Sequence, residues 1–373
     1  MAIYIMVSKD KGCVMDALAP MRVEIERRNS LTKMGDVNSA SDIEKLRTRL
    51  IFKTKMMTDE ELEKKIVFFG GVPRIHKENN TAKKDRLIDL WVETEESKLR
   101  IRDTLAEKTG VSPEKITIVS ARPIMFYIDE FLKPHECDHI RECAENKLKK
   151  MSPDAKRSRV AGRGRNISKR RTGNTCFIDN DSDNINKSIR RKVCDLVGKS
   201  SDNAECMSVT KYSAGDQYYP HYDGVHHNHF AHDMEFMRFG GQRVSTALMY
   251  LNEGDGLGST EMVNIPIKVE PKKGRVFVFE NVKKDTNILD RRSYHAGLPG
   301  ERGDKWICNI WFREFNVNEY YKDHNPDYYR GWWTTRSVAS VFGSRVAYER
   351  DQAIREKKTY NIFTPDAPRK KEY

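Results

Sequence analysis

The segment "HYDGVHHNHFAHD", residues 221–233, holds five of the ten histidines in the chain. Two of its residues have a spacing that could do metal chemistry. His221 and Asp223 stand two apart in "QYYPHYDG", which reads as a β-strand. Side chains two apart on a strand share a face, so an imidazole and a carboxylate could meet at one metal ion. A third ligand must come from elsewhere, and "RRSYHAGLPG" offers His295. Two histidines and one carboxylate on one face leave positions open, which is how non-haem Fe(II) binds a co-substrate and O2 together. The His-x-Asp spacing alone is weak, because chance matches are common. Lys305 strengthens it, since "GDKWICNIW" can form a strand that runs back beside the metal. Its ammonium is a point charge suited to the distal carboxylate of a dicarboxylate co-substrate. His226, His227, His229 and His232 follow Gly224 and read as exposed polar loop residues, not ligands.

The surrounding sequence is expected to position these residues on a β-scaffold. "RVSTALMYLN" and "GRVFVFEN" are β-rich, with Gly, Asp and Asn between them. "DKWICNIWFRE" alternates Trp306, Cys308 and Ile310 against Ile307, Asn309 and Trp311. Many short strands with turn punctuation predict a sandwich or jelly roll. Before them, "PIMFYIDEFLKPHECDHIRECAENKL" reads as a short strand, then a helix beginning at Pro134. Cys137, Ile140 and Cys143 have core-facing spacing there, the cysteines serving as small buried hydrophobes. Further upstream, Thr58 and Glu61 form a capping-box pattern that starts a helix. "KIVFF" and "LIDLWVE" read as strands, "ESKLRIRDTLAEKTG" as a helix stopped by Gly110, and "KITIVSA" as a strand. In that helix Leu99, Ile101, Leu105 and Ala106 are expected to face inward. This order weakly resembles a ubiquitin-like β-grasp. The predicted organisation is therefore a smaller α+β accessory domain over 1–120, ubiquitin-like in part. A mainly β jelly-roll domain with flanking helices follows over 121–316, then an aromatic-rich helical extension with a disordered tail over 317–373.

Composition narrows the class. A chain of 373 residues with 38% hydrophobic and 33% charged residues suits a globular protein with a highly charged surface. No apolar run approaches the roughly 18 to 20 residues of a membrane helix. No secretory signal is evident at "MAIYIMVSKDKG". The seven cysteines are scattered and lack a Cys-x-x-Cys pair, which suits reduced thiols. An intracellular, cytoplasmic protein with no membrane association is expected. The net charge of +12 points to an acidic partner. Much of it lies in residues 147–171, "KLKKMSPDAKRSRVAGRGRNISKRR", with eleven Lys or Arg against one acid, Asp154. Its Gly and Ser content predicts a mobile loop.

From residue 124 to 314 the chain resembles the prolyl 4-hydroxylase branch of the Fe(II)/2-oxoglutarate dioxygenases. The matching pieces arrive in family order: "FLKPHECDHI", "RRTGNTCF", "KYSAGDQYYPHYDG", "GGQRVSTALMYLN", "GLGSTEM", "VEPKKGRVFVF" and "SYHAGLPGERGDKW". The last, His-Ala-Gly followed by Gly-x-Lys-Trp, is the most specific. The resemblance implies a double-stranded β-helix with His221, Asp223 and His295 as iron ligands. It makes Lys305 the anchor of the 2-oxoglutarate C5 carboxylate, with Tyr212 hydrogen-bonded to the same co-substrate. It also sets Arg171, Arg243 and Trp311 toward the substrate. Fe(II), 2-oxoglutarate and O2 would be required, with ascorbate as reductant. A substrate C–H would be hydroxylated, with release of succinate and CO2. The favoured substrate is a prolyl residue in a protein or peptide, with acidic residues that suit the basic loop. A free amino acid, another residue type or a nucleic acid is the alternative, and a non-catalytic jelly-roll module a further one. Nucleic acid is disfavoured, because the demethylating enzymes usually anchor 2-oxoglutarate through arginine. Two departures bear on the pocket: Leu298-Pro299-Gly300 stands where the family usually has Cys-Pro-Val, and the stretch after Asp223 is histidine-rich.

Overall fold

A computed structural model describes residues 39–69, 79–156, 170–179, 182–225, 236–283 and 286–319. Eleven strands form two antiparallel sheets among these residues. The larger sheet has the order β1-β2-β9-β6-β11-β4-β3 and the smaller β5-β10-β7-β8. In the larger sheet the strands are β1 (Ile116–Ala121), β2 (Ile124–Ile128), β3 (Asn174–Ile178), β4 (Met207–Tyr212), β6 (Arg243–Tyr250), β9 (Val276–Glu280) and β11 (Lys305–Arg313). In the smaller they are β5 (Tyr218–His221), β7 (Thr260–Met262), β8 (Ile267–Val269) and β10 (His295–Gly297). Two facing sheets with neighbours far apart in sequence make the double-stranded β-helix that the strand pattern predicts.

One interior strand of the large sheet, β11, shows why the chain folds this way. Along β11 the side chains alternate between two environments, as period two requires. Trp306, Cys308, Ile310 and Phe312 enter the core between the large sheet and its covering helices. Lys305, Ile307 and Asn309 point the other way, into a cavity between the two sheets. The helices α4 (Pro134–Lys150) and α5 (Asn184–Val197) cover the outer face. Cys137 and Ile140 are fully buried there. Cys143 is not: it is only half-buried and lies beside the His139 ring.

The first described residues are helical, including two runs where strands were expected. They comprise α1 (Ala40–Lys55), α2 (Asp59–Phe68) and α3 (Asn80–Thr109). The Thr58–Glu61 capping box is present at the start of α2, and Gly110 ends α3 in the left-handed conformation at φ 67°. "KIVFF" belongs to α2 and its cap, and "LIDLWVE" to α3. The reason is spacing. Leu62 and Ile66, and Leu87, Ile88, Trp91 and Val92, recur at helical intervals and bury one stripe, so the three helices share an apolar seam. The only strand among described residues before 122 is β1, an edge strand of the large sheet, so the β-grasp order is not formed there. Leu105 and Ile116 join the main core, with Ile101 and Ala106 packed against it; Leu99 packs against the seam of α1 and α3. No helix among the described residues is long and apolar enough to cross a membrane. The C-terminal extension expected over 317–373 lies beyond the described residues from position 320 onward.

Ile310 is fully buried at the centre of the large sheet. Ile310→Ala should lower the free energy of unfolding by about 2–5 kcal/mol, the usual cost of an unfilled core site. Urea denaturation measures this, and a loss below about 1 kcal/mol would mean that β11 is not central to the core.

Candidate active site

The smaller sheet brings the two distant histidines together. β5 pairs with β10 in antiparallel register that sets His221 directly opposite His295. Their ring centroids are 4.3 Å apart. Each Nδ1 lies 2.8 Å from a backbone carbonyl oxygen, that of Tyr219 for His221 and of Ser293 for His295. A carbonyl only accepts, so each Nδ1 carries a proton and each Nε2 is the nitrogen turned toward the metal position. Asp223 closes the group. β5 ends at His221, so Asp223 sits in the turn beyond the strand and not on it. It still faces the same way, with His221 Nε2 at 3.5 Å from Oδ1 and His295 Nε2 at 3.7 Å from Oδ2.

The electrostatics suit a cation. Burial, reinforced by His295, pushes the His221 imidazolium down to about 4, so the ring is neutral at physiological pH. Burial opposes ionisation of Asp223, but His295, His221 and Arg243 hold its carboxyl well below the usual carboxylate range. Two imidazole Nε2 atoms and one carboxylate, whose donor atoms lie within 4.8 Å of one another, fit a single divalent ion with open positions. Asp223 Oδ2 also accepts a 2.8 Å hydrogen bond from the Thr246 hydroxyl, which accepts one of 3.0 Å from Asn281 Nδ2.

Lys305 stands across the same cavity, paired in register with Tyr212 on β4. It is only 4% exposed. Its Nζ donates to the carbonyls of Gly258 at 2.5 Å and Leu298 at 3.3 Å. Among the described residues no carboxylate forms an ion pair with it. Burial pushes its ammonium down to about 8. A buried cation with only neutral acceptors is a ready site for an incoming carboxylate. Gly258 is required for this packing, since a Cβ there would sit 1.8 Å from Leu298 O. Tyr212 Oη accepts from Arg171 Nε at 3.3 Å, which leaves the phenol proton for another acceptor.

The three residues expected near the substrate separate. Arg171 is buried behind the lining residues Tyr212 and Tyr218, donating to Thr210 at 2.7 Å and lying over the Tyr218 ring. Arg243 is clamped by both oxygens of Glu205 at 2.7 and 2.6 Å, and donates to the backbone oxygen of Asp223 at 3.3 Å. Trp311 is buried beneath the Arg243 guanidinium, 3.9 Å from it. Arg243 and Trp311 thus support Asp223 from behind. Tyr212, Tyr218, His221, Asp223, His295 and Lys305 line one cavity with Thr260 and Asn309. A larger hollow of about 380 Å3 between α3, β1 and β8 contains none of these residues, so the chemistry points to the smaller one. His226, His227, His229 and His232 lie outside the described residues.

Sequence reasoning missed Thr246, Asn281, Glu205 and the Tyr218 ring stacked 3.5 Å from His221. Thr246 could have been found from its inward phase along β6. Asn281 and Glu205 are far away in sequence, and only strand register joins them to the site.

Residues 207–313, from β4 to β11, match the 2OG-Fe(II) oxygenase superfamily. The chain is 31% identical over 189 residues to the putative prolyl 4-hydroxylase of Acanthamoeba polyphaga mimivirus, a match covering 51% of this chain and 74% of that one. It is 28% identical over 249 residues to the probable prolyl 4-hydroxylase 7 of Arabidopsis thaliana, covering 60% and 74%. Among solved structures it resembles the viral collagen prolyl hydroxylase of Paramecium Bursaria Chlorella virus-1 in its 2OG complex. That match has 28% identity, covers 51% of this chain and 95% of that one, and has a TM-score of 0.40. The chain belongs to the 2OG-Fe(II) oxygenases and, among them, to the prolyl 4-hydroxylase family. It is a 2-oxoglutarate-dependent, prolyl hydroxylase-like dioxygenase, and its cofactors are Fe(II), 2-oxoglutarate and O2.

The Lys305 environment makes a prediction that needs no substrate. Its pKa falls from 10.5 to about 8 on folding, a cost on the order of 3 kcal/mol when the residue is charged. Below pH 8 both states hold the proton and the cost is fully present. Between 8 and 10.5 the unfolded chain binds more protons, so stability rises with pH. Lys305→Met should therefore stabilise the cofactor-free protein at pH 7, with a smaller gain at pH 10. Denaturant unfolding at both pH values checks this. Equal or lower stability of the variant at pH 7 would show that the carbonyls already compensate the charge.

Proposed function

We propose that this chain hydroxylates proline in an acidic peptide at Fe(II) held by His221 Nε2, His295 Nε2 and Asp223. What supports the reading is one convergence: two imidazole Nε2 atoms, a buried carboxylate and a buried ammonium with no carboxylate partner among the described residues line the same cavity. Fe(II), when bound, supplies the centre at which O2 and 2-oxoglutarate react to give succinate, CO2 and an oxygen atom for the substrate. Lys305 Nζ would bind the C5 carboxylate of 2-oxoglutarate, and the Tyr212 hydroxyl, relieved of accepting duty by Arg171, would donate to it. The Thr246 hydroxyl, itself held by Asn281, orients Asp223 Oδ2. The Glu205–Arg243 pair fixes the Asp223 backbone. These groups hold atoms in place and keep water out; the cofactors perform the redox chemistry. Ascorbate is the reductant that fits Fe(II) maintenance.

Replacing His221, Asp223 or His295 by Ala should abolish Fe(II)-dependent succinate production. Thr246→Val, which removes the hydroxyl that orients Asp223, should weaken Fe(II) binding by roughly 10–100-fold while leaving weak turnover at saturating iron. Succinate release against an iron titration reads both. Full turnover by His295→Ala would overturn the ligand assignment.

The acidic preference rests on charge. The basic segment 147–171 ends against the site, where the Arg170 carbonyl accepts from Tyr219 N at 2.8 Å on the strand bearing His221. Residues 157–169 of that segment lie outside the described residues. Clustered cations beside a cleft raise the local concentration of an anionic ligand, and salt screens the effect. Proline peptides with acidic flanks should show a lower KM than neutral ones, with the gap closing as ionic strength rises. Substituting Arg157, Arg159, Arg163 and Arg165 by Gln should raise the peptide KM and spare that for 2-oxoglutarate. Mass spectrometry for one added oxygen identifies the product. Equal KM for neutral and acidic peptides at low salt would remove the steering role. Oxidised DNA or RNA in the same assay would redirect the substrate assignment.

A further inference from the structure

On the outer face, away from the cavity, three other side chains that bind metals meet. His139 and Cys143 stand four residues apart on α4, so both project from one helix face. Asp183, the N-cap of α5, faces them from the neighbouring element. His139 Nε2 is 3.0 Å from Asp183 Oδ2 and 3.6 Å from Cys143 Sγ. The imidazole, thiol and carboxylate donor atoms all lie within 4.8 Å of one another, and all three residues are partly open to solvent. A fourth group adjoins them. Asn186 is fully buried, its Nδ2 donates to Asp183 Oδ2 at 2.6 Å, and its Oδ1 has no hydrogen-bond partner among the described residues. A half-turn of that amide would carry the unpartnered oxygen to the side of Asp183.

We propose that His139, Cys143 and Asp183 form a second metal site, selective for Zn(II), that clasps α4 to the start of α5. Zinc bonds of about 2.0–2.3 Å in a tetrahedron put neighbouring donor atoms roughly 3.3–3.7 Å apart. The observed separations need only small side-chain shifts to reach that. One nitrogen, one thiolate sulfur and one carboxylate oxygen suit Zn(II) better than Fe(II), whose favoured triad here has no sulfur. Water or Asn186 Oδ1 completes the fourth position. On binding, the Cys143 thiol loses its proton to solvent, and His139 gives up the Nε2 proton that faces Asp183 and keeps one on Nδ1, so that the Nε2 lone pair goes to the metal. The clasp joins two helices that cover the large sheet, so the metal adds stability without touching the cavity.

Co(II) titration of the metal-free full chain tests this, because a thiolate–Co(II) absorption band in the near ultraviolet reports sulfur ligation. The triad of His221, Asp223 and His295 cannot give that band. It should appear in the wild type and in His221→Ala, and vanish in Cys143→Ser and His139→Ala. Zn(II) should displace it and raise the Tm of His221→Ala, in which the cavity triad is broken, but not that of the His221→Ala/Cys143→Ser double variant. Asp183→Asn separates ligand from cap, since Asn caps a helix about as well as Asp. That variant should keep its fold and lose roughly tenfold or more in Co(II) affinity. No band in the wild type, a band surviving Cys143→Ser, or full affinity in Asp183→Asn would each overturn the site and leave the His139–Asp183 contact as a hydrogen bond only.

Discussion

The antiparallel pairing of β5 with β10 is the constraint from which the rest of the site follows. These strands are only four and three residues long, yet their register sets His221 opposite His295. A slip of one residue would turn both side chains to the other face. Short strands specify register poorly by themselves. β10 is held on its other edge by β7, while Tyr218 stacks on His221 and Phe279 meets His295 edge-on. The aromatic walls therefore orient the imidazoles, and the carbonyls of Tyr219 and Ser293 choose their tautomer.

A cavity of this kind is costly to build. Asp223, Lys305 and Arg171 are all nearly inaccessible, and none has a fully compensating opposite charge of its own. The fold offsets this with apolar packing on the far side of the same sheet. The alternation along β11 makes each strand residue serve either stability or chemistry: Trp306, Cys308, Ile310 and Phe312 bind the sheet to its helices while Lys305, Ile307 and Asn309 face the cavity. The Glu205 carboxylate plays a similar double part. It bonds to Arg243 and Arg313 together, at 2.6–2.7 Å, and by offsetting part of their charge lets two buried guanidinium groups brace the end of the sheet beside Asp223.

The helical segment before the sheet joins it through α3. The 30-residue length of α3 lets one face serve two cores, packing on α1 through Ile88, Trp91 and Val92, and on the main domain through Leu105. That continuity explains why "LIDLWVE" misleads when read in isolation. Five apolar residues within seven satisfy a buried strand as well as a helix, and the choice is settled by the helix partners that bury them.

The sequence by itself determined the reaction class and the identities of the candidate residues. His221, Asp223, His295, Lys305 and Tyr212 are legible because their chemistry depends on residue type and motif order, which a linear chain carries in full. Local signals were legible for the same reason: the Thr58–Glu61 cap, the Gly110 stop and the β11 alternation all act within a few residues. Tertiary structure decided what depends on contacts between distant segments. It made the early apolar runs helical, turned Arg243 and Trp311 into supports behind Asp223, and recruited Thr246, Asn281 and Glu205. It also left Cys143 at the margin of the core, only partly buried and beside His139 and Asp183. Each of these outcomes is fixed by strand register or helix packing, and such long-range pairings leave no mark in the spacing of neighbouring residues.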